Sequence, residues 1–205
     1  MIAVEAQRNM GRILLGFIFC LIIVPVAVLA WLRFGNPPVA VADPPFPHER
    51  QIVQIPLNSR IVREMPAAAP IQADDNNLVA GAGIYRAQCA ACHGFSGKPS
   101  SFAAHMYPAA PQLWKQHKNS SVVGVSDDPP GETYWKVANG LRLTGMPSFK
   151  DQLSDAQIWQ VTLLLANADK PLPPAAASIV HGEPPPAGAP AALAPAAVAP
   201  AAPSQ

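Results

Sequence analysis

The chain has 205 residues, of which 25 are proline and half are apolar, yet only 13% carry a charge and the formal net charge is +1. Between Asp74 and Lys170 acidic and basic residues balance, eight of each, so there is no basic excess of the kind that holds nucleic acid. Much of the apolar content lies in Ala/Pro-rich stretches and one long run, which leaves room for a single small folded domain.

That run comes first. Ile13 to Leu32 is an uncharged stretch of about twenty residues, and at 1.5 Å per residue it spans about 30 Å of hydrocarbon. It predicts a transmembrane anchor at 13–32 behind a short N-terminal segment, 1–12, with Pro25 tolerable inside it. Arg8 and Arg12 precede the run and Arg33 follows, a bias that places the N-terminus in the cytoplasm. A cleaved signal peptide competes, since Val28-Leu29-Ala30 supplies small residues, but signal cores run about 7–15 residues. The nearest A-x-A, Ala40-Val41-Ala42, lies beyond Arg33 and Pro37-Pro38, so the uncleaved anchor is favoured. Cys20 follows Phe17-Ile18-Phe19, without the small residue expected before a lipidated cysteine, and reads as an apolar helix residue.

Residues 33–73 are dense in proline and predict an extended linker, not a helix. Its short apolar patches, Ile52 to Ile55 and Arg60 to Arg63, are too short to fold alone and suit lying along a partner or the domain surface. At the other end, 171–205 is Ala/Pro-rich with almost no charge, and reads as a disordered spacer.

The folded part is therefore 74–170, and three helices can be placed in it. The first covers about Asn77 to Cys92, with Leu78, Gly81, Ala82, Tyr85 and Cys89 on one stripe. A second begins after Asp127-Asp128-Pro129-Pro130, capped by the aspartates, and stops at Asn139-Gly140. The third starts at Ser154, an N-cap with Gln157 three residues on, and runs through Ile158, Trp159, Val161, Thr162, Leu163 and Leu165. A helix apolar almost all round needs burial against another helix and a cofactor.

Cys89-Ala90-Ala91-Cys92-His93 spells C-x-x-C-H, whose three ligating side chains share one helix face. Two thiols and an imidazole in that spacing attach one haem through its vinyl groups and bind its iron from one side. Zinc would need four ligands, and the remaining cysteine, Cys20, sits in the apolar run. A thioredoxin-like pair would need a strand leading into the motif, whereas Leu78 to Tyr85 reads as helix. For the iron's other face the candidates are Met65, Met106, Met146 and the remaining histidines. Met146 is preferred because Gly145 and Pro147 keep its backbone irregular and able to approach a ring closely. Met106, thirteen residues after His93, ranks second, and His105 and His117 read as exposed.

With these residues assembled, 81–169 resembles a class I cytochrome c. Gly81, Tyr85 and Cys89 to Gly94 are similar to the family's first helix and haem motif. Glu132 to Gly140 with Thr144 to Phe149 resembles its middle helix and methionine loop, and Leu153 to Ala168 its closing helix. The resemblance implies a small all-α fold of three or more helices around one covalent haem c. It implies thioethers at Cys89 and Cys92, axial ligands His93 and Met146, and a crossing of first and last helices where Gly81 and Tyr85 meet Trp159. It further implies that the Pro111 carbonyl accepts the histidine's other N–H, with Pro108 competing for that role, and that Leu113 lines the pocket.

An iron with both axial sites filled points to one-electron transfer. The expected protein is a monohaem carrier, single-pass in a bacterial inner membrane with its haem domain in the periplasm, serving redox proteins at the membrane. The roughly forty-residue arm would let that domain swing between partners. A permanent subunit of a membrane dehydrogenase or oxidase, and a peroxidase-like enzyme gained by loss of Met146 from the iron, are the alternatives. The lysines and arginines at 98, 115, 118, 136, 142 and 150 read as ordinary solvated charges.

Overall fold

In the computed structural model, which describes residues 2–184, the apolar run lies in one helix, α1 (Ile2–Phe34). Its segment Arg12–Phe34 is long and apolar enough to cross a membrane, and Pro25 does not end it. The chain divides into two units at Gln51, and α1 belongs to the first. There the Asp43 carboxylate accepts hydrogen bonds from the N–H groups of Val39 and Ala40 at 2.9 and 2.8 Å, closing a turn.

The linker is not extended throughout, which corrects the reading of 33–73. Residues Glu49–Glu64 form a helix, α2, with Pro56 inside it. Its side chains explain why proline loses here. The Glu49 carboxylate accepts from the Phe46 N–H at 2.8 Å, Arg60 pairs with Glu64 at 2.8 Å, and Ile61 is 2% exposed. The Trp135 indole N–H donates to Glu64 at 3.0 Å, with the Arg60 guanidinium over the Trp135 ring. One missing backbone donor is outweighed once a face of the helix is buried.

The bonds from Arg60 and Trp135 hold the Glu64 carboxyl below the usual range. A lowered carboxyl contributes stability above its unfolded pKa and loses it as pH falls through the folded one. Amide-exchange protection in 49–64 is therefore expected to drop on acidification below about pH 4, ahead of the rest of the domain. Glu64→Gln should abolish that early drop; an unchanged acid profile in the variant would remove Glu64 as its cause.

The Asp74 side chain caps α3 (Asp75–Ile84), accepting from the Asn77 N–H at 2.9 Å. A π turn at Tyr85–Cys89 follows, and a last helical turn, α4 (Ala90–His93), ends at Gly94, whose φ of +73° suits glycine. The first predicted helix is thus present with one extra residue wound in, which rotates the cysteines by about 100° relative to the buried face of α3. The second is α5 (Pro130–Asn139), closed by Gly140 at φ +67°. Its N-cap is Pro129, not an aspartate; Asp128 instead lies 3.7 Å from the Lys136 ammonium. The third is α6 (Asp155–Ala166), with the Ser154–Gln157 capping box formed and Ile158, Val161, Thr162 and Leu164 sealed from solvent. Among the described residues there is no strand, only isolated bridges at Phe95–Lys98 and Gln116–Val123.

Part of the tail is also ordered, a second correction. Pro173 and Pro174 open a short helix, α7 (Pro174–Val180), where a missing N–H costs nothing. It buries Ala176, Ile179 and Val180, packs on α3, and its Val180 carbonyl accepts the Ser96 N–H at 2.9 Å. Three small or branched apolar residues on one face were enough to dock a segment that composition marked as spacer. The remainder of the predicted spacer, 185–205, lies outside the described residues.

The core sits where α3 crosses α6, with α5 on one side and α7 on the other. A Cβ on Gly81 would meet the backbone carbonyl of Gln160, so this glycine sets how closely the two helices approach. The aromatic pairing differs from expectation. Tyr85 stands edge-on to Trp114 with centroids 5.6 Å apart, while Trp159 stacks on Tyr134 of α5 at 4.3 Å.

Candidate functional site

The π turn and α4 deliver Cys89, Cys92 and His93 to one wall of a cavity of about 300 Å³. The turn is anchored by the buried Tyr85, whose hydroxyl donates to the Gly94 carbonyl at 2.6 Å. Neither cysteine forms a disulfide. Burial, with a smaller effect of Cys92, pushes the Cys89 thiol up to about 12, so it is held as a neutral S–H next to the cavity.

His93 Nδ1 lies 2.8 Å from the Pro111 carbonyl oxygen. A carbonyl only accepts, so the bond places the proton on Nδ1 and leaves the Nε2 lone pair available. Burial lowers the His93 pKa, opposed by the Pro111 bond, and this favours the neutral imidazole that binds metals. Pro111 is held in turn through its neighbour, since the Gln112 carboxamide donates to the carbonyls of Cys92 and Ala110 at 3.3 and 3.2 Å and accepts from the Ser100 N–H at 2.7 Å. Pro108 lines the cavity without that bond to His93.

Met146 is half-buried and lines the same cavity. Its loop is tied down at several points. The Met146 N–H donates to the Thr144 hydroxyl at 3.1 Å, that hydroxyl donates to the Leu141 carbonyl at 2.7 Å, and the Ser148 hydroxyl to the Ala138 carbonyl at 2.7 Å. Gly140 is needed there, since a Cβ would run into the Pro147 backbone at 2.6 Å. Met106 also lines the cavity, with its methyl group against Gly145, but from a segment in which Phe102 and Tyr107 are exposed. Met65 is not among the lining residues, and His105 and His117 are exposed.

Much of the rest of the wall is apolar: Leu113 and Val125 from loops, Val137 from α5, Phe149 after the Met146 loop, and Val161 and Leu165 from α6. Three contributors went unseen in the sequence, Gln54, Leu57 and Asn58 of α2. With Ile61 they repeat at spacings of three and four, a helical stripe half polar and interrupted by Pro56, which hid it.

Two cysteine side chains, an imidazole with Nε2 unengaged, a thioether and a largely apolar enclosure suit one haem. They do not suit zinc, and among the described residues no three of His, Cys, Asp or Glu gather as a metal cluster.

Residues 76–163 match the family model described as cytochrome c oxidase, cbb3-type, subunit III. Among solved structures, a chain of the reducing HAO-like protein complex of Kuenenia stuttgartiensis is similar at 24% identity. The match covers 50% of this chain and 48% of that one, with a TM-score of 0.38, so this chain spans about half the length of that relative. No curated protein sequence matches the chain. A C-x-x-C-H motif at a helix end, an all-α fold and the family match over 76–163 together mark that segment as a c-type cytochrome domain, which supports electron transfer and implies covalently bound haem c.

Proposed function

We propose that the protein is a membrane-anchored one-electron carrier with a six-coordinate haem, fixed at Cys89 and Cys92 and ligated by His93 and Met146. The observation that carries this reading is that His93, its Nδ1 committed to Pro111, lines one cavity together with Met146. When bound, the haem supplies an iron that takes up and releases one electron without proton or atom transfer.

The chain's own residues do the rest. The Pro111 carbonyl holds the imidazole in one tautomer and strengthens it as a donor. Thr144 and Ser148 restrain the Met146 loop, so little reorganisation accompanies a change of charge. Leu113, Val137, Phe149 and Val161 exclude water, which disfavours net charge in the site and favours the reduced state. Met146 is favoured over Met106 because its backbone is bonded to Leu141 and Thr144 in the loop just after α5.

In this reading 13–32 spans the bacterial inner membrane with the haem domain in the periplasm, supported by the length of α1 and by the arginines flanking it. Only Gly35 to His48 separate α1 from α2, so the arm has far fewer unstructured residues for swinging than the linker first suggests. A permanent place in an oxidase or dehydrogenase is the second reading, favoured by the family model's description as an oxidase subunit.

Purification in mild detergent tests both. The reduced protein at neutral pH is expected to bind no carbon monoxide; binding would overturn six-coordination by His93 and a methionine. Recovery with tightly held partner chains would favour the subunit over the free carrier, and a lone monomer the reverse.

A further inference from the structure

Helix α2 lies outside the segment that matches the cytochrome family, yet it forms part of the haem cavity wall. Its C-terminal half is fastened by Ile61 and by the Glu64–Trp135 bond. Its middle turns bring Gln54 and Asn58, one turn apart, to the cavity that Thr133 and Lys136 of α5 also line. Among the described residues neither carboxamide has a hydrogen-bond partner within the chain.

Haem is apolar except for two carboxylates, which leave the ring on the edge away from the carbons that cysteines capture. Polar side chains elsewhere in the cavity are poor partners for them. Gln88 adjoins Cys89, at the attachment edge, and the Thr144 hydroxyl already donates to Leu141. Lys136 is the one ammonium in the lining, but it is paired with Glu132 and lies 3.7 Å from Asp128. Apart from Gln88 at the attachment edge, the carboxamide donors without a partner in this lining are those of α2, among the described residues.

We propose that the Gln54 and Asn58 carboxamides donate hydrogen bonds to the haem carboxylates, so that α2 completes the cofactor site and is itself held down by it. This rests on the haem orientation set by Cys89 and Cys92 in the reading above. A donor to an ionised carboxylate lowers its pKa, because it stabilises the charged form. Ionisation at that edge is felt by the iron, so the midpoint potential bends at the pH where the carboxylate titrates.

The test uses the full, haem-loaded chain in detergent and records midpoint potential against pH. In Gln54→Leu/Asn58→Leu the bend is expected to move up by about one pH unit, a tenfold change in the acid constant. Gln54→Glu/Asn58→Asp keeps α2 polar and should move it further, since new carboxylates then face the haem's own. Lys136, which lines the cavity, and its partners Glu132 and Asp128 stay unchanged throughout. Ile55→Ser, on the exposed face of α2, is expected to leave the bend in place. Amide exchange at 52–58 gives a second readout, with protection expected in the wild-type holoprotein and reduced in both double variants. An unmoved bend and unchanged protection in both, with haem covalently bound, overturn the proposal. A wild-type chain without covalent haem at Cys89 and Cys92 overturns the site reading on which it rests.

Discussion

Met146→Ala is expected to leave the haem covalently attached but to open one face of its iron. The reduced variant then binds carbon monoxide at neutral pH, and its midpoint potential falls by on the order of 0.1 V or more, within the roughly 0.8 V over which axial ligands set haem potentials. The sign follows from ligand softness. A thioether stabilises ferrous iron, whereas the water that replaces it favours ferric iron. Met106 provides the discriminating comparison, since its methyl group packs against Gly145 in the same cavity. Met106→Ala should leave the potential and the closed coordination nearly unchanged. If it opens the iron and Met146→Ala does not, the ligand is Met106.

Gly81→Ala is expected to cost a large loss of stability for a single added methyl group. The new Cβ would meet the Gln160 carbonyl oxygen, the Gln160 carbonyl carbon at 2.7 Å and the Leu164 Cβ at 3.2 Å. The obstructing atoms are mostly backbone in the middle of α6, so no side-chain rotation relieves the clash, and α3 and α6 must separate. Overpacking of that kind costs about 1–3 kcal/mol. For a domain of this size that lowers the melting temperature by roughly 5–20 °C. The shift should appear with the haem in place, measured by loss of helical circular dichroism, and a change under about 2 °C would show that the crossing yields. Because the π turn hangs from α3, slower haem attachment in vivo should accompany the loss.

The cytochrome domain itself was largely legible. Ser154 and Gln157 form the predicted capping box, Gly140 ends α5 and Gly81 lies at the helix crossing, because caps, stops and close approaches depend on few residues near one another. What surrounds the domain was not. The prolines of 33–73 and the alanines and prolines of 171–205 speak for extended or disordered chain only when each segment stands alone. Ile61 in α2 and Ile179 in α7 find buried sites on the domain, and that burial forms helices which local preference disfavours. The aromatic partners were misjudged for a related reason. Which ring Tyr85 or Trp159 meets depends on Trp114 and Tyr134, far away in sequence.

By itself the sequence determined the chemistry and the broad class of this protein. C-x-x-C-H is a local pattern whose reactivity needs only the spacing of three side chains along a helix, and a run of about twenty apolar residues has the length of a bilayer whatever lies beyond it. Tertiary structure alone decided which carbonyl holds His93, which two methionines face the cavity and that a helix from the supposed linker lines it. Those outcomes rest on contacts between segments distant along the chain, where the area buried on docking outweighs what each stretch would do in water.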